Sequence, residues 1–247
     1  MSQQTIYLAL TGLSATMDRM TAATNNLANA STTAFKAQRP VFESRQLYGQ
    51  GLADRVDVVT ADDSADFKPG AVEVTGRGLD VAITTPGWIA IQANDGTRAL
   101  TRDGALEITP SGLLQTNEGN PVLGRGGAPI TLPPLQSVTI GEDGTISGAL
   151  VGQPADQIIA LNRILLTNPP PARLVRRGDG LFQDKAGPAT PDASVHLQIG
   201  ALEGSNADPV ALMMSMIENT RMFQMQTELV HLTATAGQGQ SSPLTLS

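Results

Sequence analysis

Residues 4–30 read QTIYLALTGLSATMDRMTAATNNLANA, and the spacing inside this stretch decides the architecture. Ile6, Leu10, Leu13, Met17, Met20, Thr24 and Leu27 recur at alternating intervals of four and three, the a/d seam of a heptad pattern, apolar everywhere except Thr24. Gly12 lies off the seam and no proline interrupts it, so a helix of about 40 Å is predicted. Such a seam cannot stand alone in water and demands a partner. The other end of the chain offers one. Asp208-Pro209 is a helix start, with Asp as N-cap and Pro at the first helical position, and no glycine or proline follows until Gly237, a natural C-cap. This second helix carries two apolar stripes, Leu212, Met216, Phe223 and Val230 on one side and Met214, Met222, Met225, Leu229 and Leu232 on the other. Two stripes need two neighbours, one of them the first helix and the other a further subunit.

Between the helical ends the period changes to two. Short runs such as Arg55–Thr60, Ala71–Thr75, Asp80–Thr84, Trp88–Ala93, Ala105–Thr109, Ser137–Ile140 and Val195–Gly200 read as strands. Asn94-Asp95-Gly96, Asp103-Gly104, Ser111-Gly112 and Asp143-Gly144 read as turns between them. Residues 155–166 read as a further strand, ended by Pro169-Pro170-Pro171. The predicted fold class is α+β, mainly β: a discontinuous terminal-helix coiled-coil domain (1–35 and 205–247), an extended connector (36–75) and a central all-β domain of sandwich or barrel type (76–204).

Composition narrows the function. The 247 residues are 40% hydrophobic but only 3% aromatic, so the core must be aliphatic. Net charge is −7, which disfavours nucleic acid and anionic membrane as partners. There is no cysteine, so disulfides, thiol nucleophiles and zinc knuckles are excluded. No apolar run reaches a membrane span, and the N-terminus lacks the basic and apolar regions of a cleaved signal peptide. His196 and His231 are the only histidines, and neither has Ser or acid at a diagnostic spacing. Asp62-Asp63-Ser64-Ala65-Asp66 lacks the glycine and distal glutamate of a calcium loop. Gly76-Arg77-Gly78 and Gly124-Arg125-Gly126-Gly127 lack the Lys of a phosphate loop and read as turns. Arg173, Arg176 and Arg177 read as a small solvated basic patch. No catalytic, cofactor-binding or metal-ligating set emerges; a ligand-binding β-protein with coiled-coil ends remains the alternative outside the structural class.

Several stretches together resemble one family. Asn25-Asn26-Leu27-Ala28-Asn29-Ala30-Ser31-Thr32-Thr33-Ala34-Phe35-Lys36 is similar to the N-terminal signature of the bacterial flagellar rod and hook axial proteins. Leu202-Glu203-Gly204-Ser205-Asn206-Ala207-Asp208-Pro209-Val210 and the Met-rich helix after it resemble their C-terminal signature. Leu79-Asp80-Val81-Ala82-Ile83, Gly87-Trp88 and Thr101-Arg102-Asp103-Gly104 lie between them in family order. The short connector and the single Trp88 after Gly87 favour the proximal-rod branch, with the distal-rod or hook branch as the alternative. Ala34 stands where the family has Gly, Leu100 where it has Tyr and Ala207 where it has Val.

The resemblance implies a structural subunit that assembles helically through its terminal helices and carries torque from motor to hook. The partners it implies are other rod proteins, proximal and distal, copies of the same chain, and the flagellar type III export apparatus. It implies a place in the periplasm-spanning rod of the basal body, reached by export without a cleaved signal. The subunit-packing residues would be Ile6, Leu10, Leu13, Met17, Met20, Leu27, Leu212, Met216, Met222, Phe223, Met225, Leu229, Val230 and Leu232. Asn25, Asn26, Asn29, Ser205 and Asn206 would form a polar motif bridging helices.

Overall fold

The computed structural model describes residues 3–46, 56–154, 156–188 and 190–239. Helix α1 spans Gln3–Ala28 and α2 spans Pro209–Gly239. The strands between them are β1 (Gln38–Gln46), β2 (Val56–Ala65), β3 (Val72–Val74), β4 (Val81–Ile83), β5 (Trp88–Gln92), β6 (Arg98–Thr101), β7 (Leu106–Ile108) and β8 (Leu114–Thr116). They continue as β9 (Leu135–Ile140), β10 (Thr145–Leu150), β11 (Ile159–Arg163), β12 (Leu166–Thr167), β13 (Leu174–Arg176), β14 (Phe182–Asp184), β15 (Leu197–Ile199) and β16 (Ala201–Glu203). The fold is mainly β with one helix at each end. The chain divides into two compact units: residues 1–30, 38–66 and 207–247 form one, and residues 31–37 and 67–206 the other.

The β-unit is built from small antiparallel sheets. The largest has the order β12-β5-β6-β14-β13, a second has β11-β10-β9, and β15-β4, β16-β3 and β7-β8 form pairs. Single bridges such as Ile91↔Val122 and Gly124↔Ile164 join segments outside the named strands. The core is aliphatic, as the scarcity of aromatics requires: Ile83, Ile89, Ile91, Leu106, Ile130 and Ile146 are among its fully enclosed members. Two turns repeat one sequence, Asp95-Gly96-Thr97 and Asp143-Gly144-Thr145. In each, the Asp Oδ1 accepts the N–H of the Thr two residues on, and the Gly adopts positive φ (79° and 81°). Gly104, read as a turn residue of the same kind, is required for a different reason: a Cβ there would lie 1.8 Å from the carbonyl oxygen of Val81.

The helical unit differs from the sequence expectation in two respects. Within the expected connector 36–75, in which Arg55–Thr60 and Ala71–Thr75 read as strand runs, Gln38–Gln46 and Val56–Ala65 pair as the antiparallel strands β1 and β2, with a register shift between Val41 and Phe42. The hairpin belongs to the same compact unit as the helices. Beyond Thr60 the strand pattern was masked by the acidic run, whose Asp62 and Asp63 pair with Val41 and Pro40 across the hairpin. Helix α2 also continues through Gly237, expected to end it, to Gly239. At its start Asp208 Oδ1 accepts the N–H groups of Val210 and Ala211, the N-cap the sequence predicts.

Candidate assembly surface

Successive residues of an α-helix are about 100° apart. On that wheel Leu212, Met216, Asn219, Phe223, Gln226 and Val230 share one side of α2, and all are buried or half-buried. Met214, Met225, Leu229 and Leu232 share the opposite side and are exposed at 62, 58, 57 and 58%. Met222, at the margin of that stripe, is 38% exposed, and Val210 and Ile217 extend the same open face. α2 is therefore apolar on two opposed sides, and the structure covers only one of them.

The covered side packs against α1, where the fully buried side chains are small or polar and the large apolar ones are half-buried. Thr16 donates to the carbonyl oxygen of Gly12 and lies 3.0 Å from Oε1 of Gln226, and Gly12 faces the same Gln226 side chain. Thr16, Ala22, Ala23 and Asn26 are the buried side chains of α1. The predicted seam is split along its length. Leu13, Met20 and Leu27, seven residues apart, are half-buried, whereas Leu10, Met17 and Thr24 are exposed. Ile6 lies on α1, and its side chain is outside the described residues. At about 100° per residue the two halves of the seam lie roughly 60° apart, and here one half is half-buried and the other is exposed.

The asparagines divide their work. Asn26 is buried and pairs with the backbone of Gln38 at both ends of its amide, donating to the carbonyl at 2.9 Å and accepting the N–H at 2.7 Å. It thereby binds α1 to the first residue of the hairpin rather than to another helix. Arg19 adds a second tie, its guanidinium 4.7 Å from the ring centre of Phe42. Asn29 donates to the carbonyl of Asn25 and closes the helix end; Asn25 is exposed. Asn206, in the β-unit, accepts from the N–H of Ala37 and donates to the carbonyl of Lys68. Ser205, beside it, is half-buried.

Sequence reasoning missed the charged centre of the β-unit. Glu203 is fully enclosed and accepts from Lys36 Nζ at 2.5 Å, Arg102 Nε at 2.7 Å and the backbone N–H of Gly70 at 3.0 Å. Lys36 also donates to the carbonyl of Lys68, and Arg102 to those of Gly87 and Ile83, so each cation spends its donors on buried acceptors. Phe67 packs edge-to-face against Trp88 and Phe182 nearby, and those two rings are tilted by 50° to each other, with centroids 4.8–5.8 Å apart. The three arginines read as one basic patch have separate roles. Arg173 forks onto Asp184, and Arg177 reaches Asp95 and Asp179. Arg176 lies over the rings of Phe35 and Phe182 and donates to the carbonyl of Lys36. The signal available beforehand was the presence of Lys36, Arg102 and Glu203 inside three otherwise apolar or turn-like signature stretches.

His196 and His231 are both exposed. A groove of about 380 Å³ lined by Pro110, Pro133, Pro134 and Leu135 holds no titratable side chain. Among the described residues no group of His, Asp or Glu is arranged to hold a metal ion, and no helix is long and apolar enough to cross a membrane.

Residues 82–148 match the family model described as the flagellar hook protein FlgE/F/G D1 domain, and residues 198–233 the one described as the flagellar basal body rod FlgEFG protein C-terminal. The flagellar basal-body rod protein FlgF of Salmonella typhimurium is 38% identical over 91% of this chain and 92% of its own length. FlgF of Escherichia coli K12 is 37% identical over the same shares, and FlgF of Caulobacter vibrioides 33% identical over 85% of each. This chain belongs to the flagellar basal-body rod protein family. Its similarity is greater to these FlgF proteins than to FlgG of Buchnera aphidicola, which is 28% identical. The family is structural, so the chain is a structural protein of the basal body and not an enzyme.

Proposed function

We propose that this chain is a subunit of the proximal part of the rod and enters it through its terminal helices. The observation that carries the reading is the outward face of α2. Met214, Met225, Leu229 and Leu232 stand in water, in one stripe, on a helix whose other side is already packed. A monomer rarely leaves so long an apolar stripe uncovered. A helical neighbour would bury it, and Leu10 and Met17 of α1 supply further apolar surface for the same purpose. The neighbours would be copies of this chain and other rod proteins, proximal and distal. Contacts that join different patches do not close on themselves and extend into a helical array suited to transmitting torque. Passage through the flagellar type III export apparatus fits a chain without a single disulfide to form beforehand.

The test is a pair of substitutions on the open face, Met214→Asp with Met225→Asp. Both side chains are exposed, so the purified chain should melt within about 0.5 kcal/mol of the natural one. Inside an assembled rod each carboxylate would be buried without a partner, a cost of several kcal/mol. Cells carrying the variant in place of the natural chain should secrete it but fail to complete the rod. Complete rods and normal swimming would refute the assignment.

A further inference from the structure

Sulfur is distributed in this chain with complete asymmetry. All eight methionines lie at positions 1, 17, 20, 213, 214, 216, 222 and 225, and there is no cysteine. Residues 21–212, which include the whole β-unit, contain no sulfur at all. Within the helices the thioethers are not sheltered: Met17, Met213, Met214 and Met225 are 51–62% exposed and Met222 is 38% exposed, while Met20 and Met216 are half-buried. Leucine fills comparable volume and forms helices equally well, so neither volume nor helix propensity requires thioethers on an open face.

We propose that Met213, Met214 and Met225 are the oxidant-sensitive modification site of this protein, and that their oxidation by a peroxide withdraws the subunit from assembly. The chemistry needs hydrogen peroxide or another hydroperoxide and nothing else. The thioether sulfur gives an electron pair to one peroxide oxygen; the O–O bond breaks and an S–O bond forms. The second oxygen leaves with the peroxide's protons as water from hydrogen peroxide, or as the alcohol from an organic hydroperoxide, in a two-electron oxidation of sulfur matched by a two-electron reduction of the peroxide. The product is a polar sulfoxide with a strong acceptor oxygen, carried at Met214 and Met225 on the stripe that must be desolvated for a neighbouring helix to dock, and at Met213 beside it. A subunit damaged in this way keeps its β-unit intact, because that unit holds no oxidisable sulfur. The inference rests on the reading of the open face of α2 given above.

The full-length purified chain is exposed to hydrogen peroxide and sulfoxide formation is followed peptide by peptide. Met213, Met214 and Met225 should oxidise several-fold faster than Met216, which faces α1, and urea should abolish the difference. Equal rates in the folded chain would overturn the inference. In cells, Met213, Met214 and Met225 are changed together to Leu, which cannot be oxidised, or to Gln, which imitates the sulfoxide. Rod completion under peroxide stress should fall several-fold with the natural chain and hold with the Leu variant; an equal fall in both would overturn the inference alone. The Gln variant should fail to complete rods even without peroxide. Complete rods with Gln would instead remove the assembly reading of the stripe, and the inference with it.

Discussion

The two units bury opposite kinds of residue. In the β-unit the enclosed side chains are large: Ile83, Ile89, Ile91, Leu106, Leu123 and Ile130 are all at or below 2% exposure. On α1 and α2 the enclosed side chains are small or polar, Thr16, Ala22, Ala23, Asn26 and Asn219, and the large apolar ones are half-buried, like Leu13 and Phe223, or exposed, like Met17 and Met214. The first unit has used its hydrophobic surface on itself. The second fully encloses only small and polar side chains and leaves Met, Leu and Ile exposed on the outer face of α2. A rod protein needs both, one part stable before assembly and another whose burial is completed by it.

The severest way to break the β-unit is to remove the acceptor at its centre. Glu203→Gln leaves Lys36 and Arg102 buried without a counter-charge, and breaking a buried ion pair typically costs about 3–5 kcal/mol. Thermal unfolding of the variant should show a large fall in the midpoint for the β-unit. A midpoint unchanged from the natural chain would mean the network contributes nothing, and the unit's stability would be hydrophobic alone.

The β-unit also contains a group that works against it at neutral pH. Burial pushes the Asp103 carboxyl up to about 6; the Ala105 N–H opposes the rise, while the charges of Glu118 and Asp80 add to it. The folded state therefore holds this proton more tightly than the unfolded chain, whose carboxyl titrates near 3.8. The unfavourable contribution is absent below about pH 4, grows between pH 4 and 6 and is complete above, where it reaches on the order of 2 kcal/mol. Asp103→Asn keeps the acceptor for Ala105 and removes the charge. Its stability gain should be present at pH 8 and gone at pH 4, by denaturant titration at the two values. A gain independent of pH would show that the group's ionisation is not its cause.

The opposed faces of α2 give a sharper contrast within one element. Phe223→Ala, on the covered side, should cost about 1–3 kcal/mol in the isolated chain, whereas Leu229→Ala, on the open side, should cost under about 0.5 kcal/mol. In the assembled rod the ranking should vanish, because both faces are then packed. Equal losses in the isolated chain would mean that α2 is not held by α1 through the Phe223 side.

Periodicity exposed the helices, their apolar stripes and the Asp208 cap in advance, because those are local properties of the chain. The Asp-Gly-Thr turns were legible for the same reason. What periodicity could not show was which half of the α1 seam faces inward. Leu10 and Leu13 are equally apolar, and the choice between them was made by Gly12 and Thr16 meeting Gln226, more than two hundred residues away. The centre formed by Lys36, Arg102 and Glu203 was illegible for that reason too: three charged residues far apart in sequence look like solvated surface until the fold brings them together. Of the β1–β2 pair the run Arg55–Thr60 was legible as strand, whereas the aspartates that follow it in β2 read by local propensity as loop.

The smallest expected effect concerns a single backbone angle. Ala34 has φ of 56°, in the left-handed region, and it is the only non-glycine residue in that region among the described residues. Its N–H donates at 2.7 Å to the carbonyl of Glu203, so the turn is held by the segment that carries the buried acid. A Cβ in that conformation costs roughly 1–2 kcal/mol. Ala34→Gly removes the strain but loosens the unfolded chain, which takes back about 0.4–1 kcal/mol. The net expectation is a gain of about 0.5–1 kcal/mol, read as a small rise in the unfolding midpoint of the β-unit. Ala34→Val should move it the other way and further, since a β-branched side chain tolerates positive φ least. A fall in the midpoint with Gly would mean that the turn is not strained, and that alanine is the better residue there.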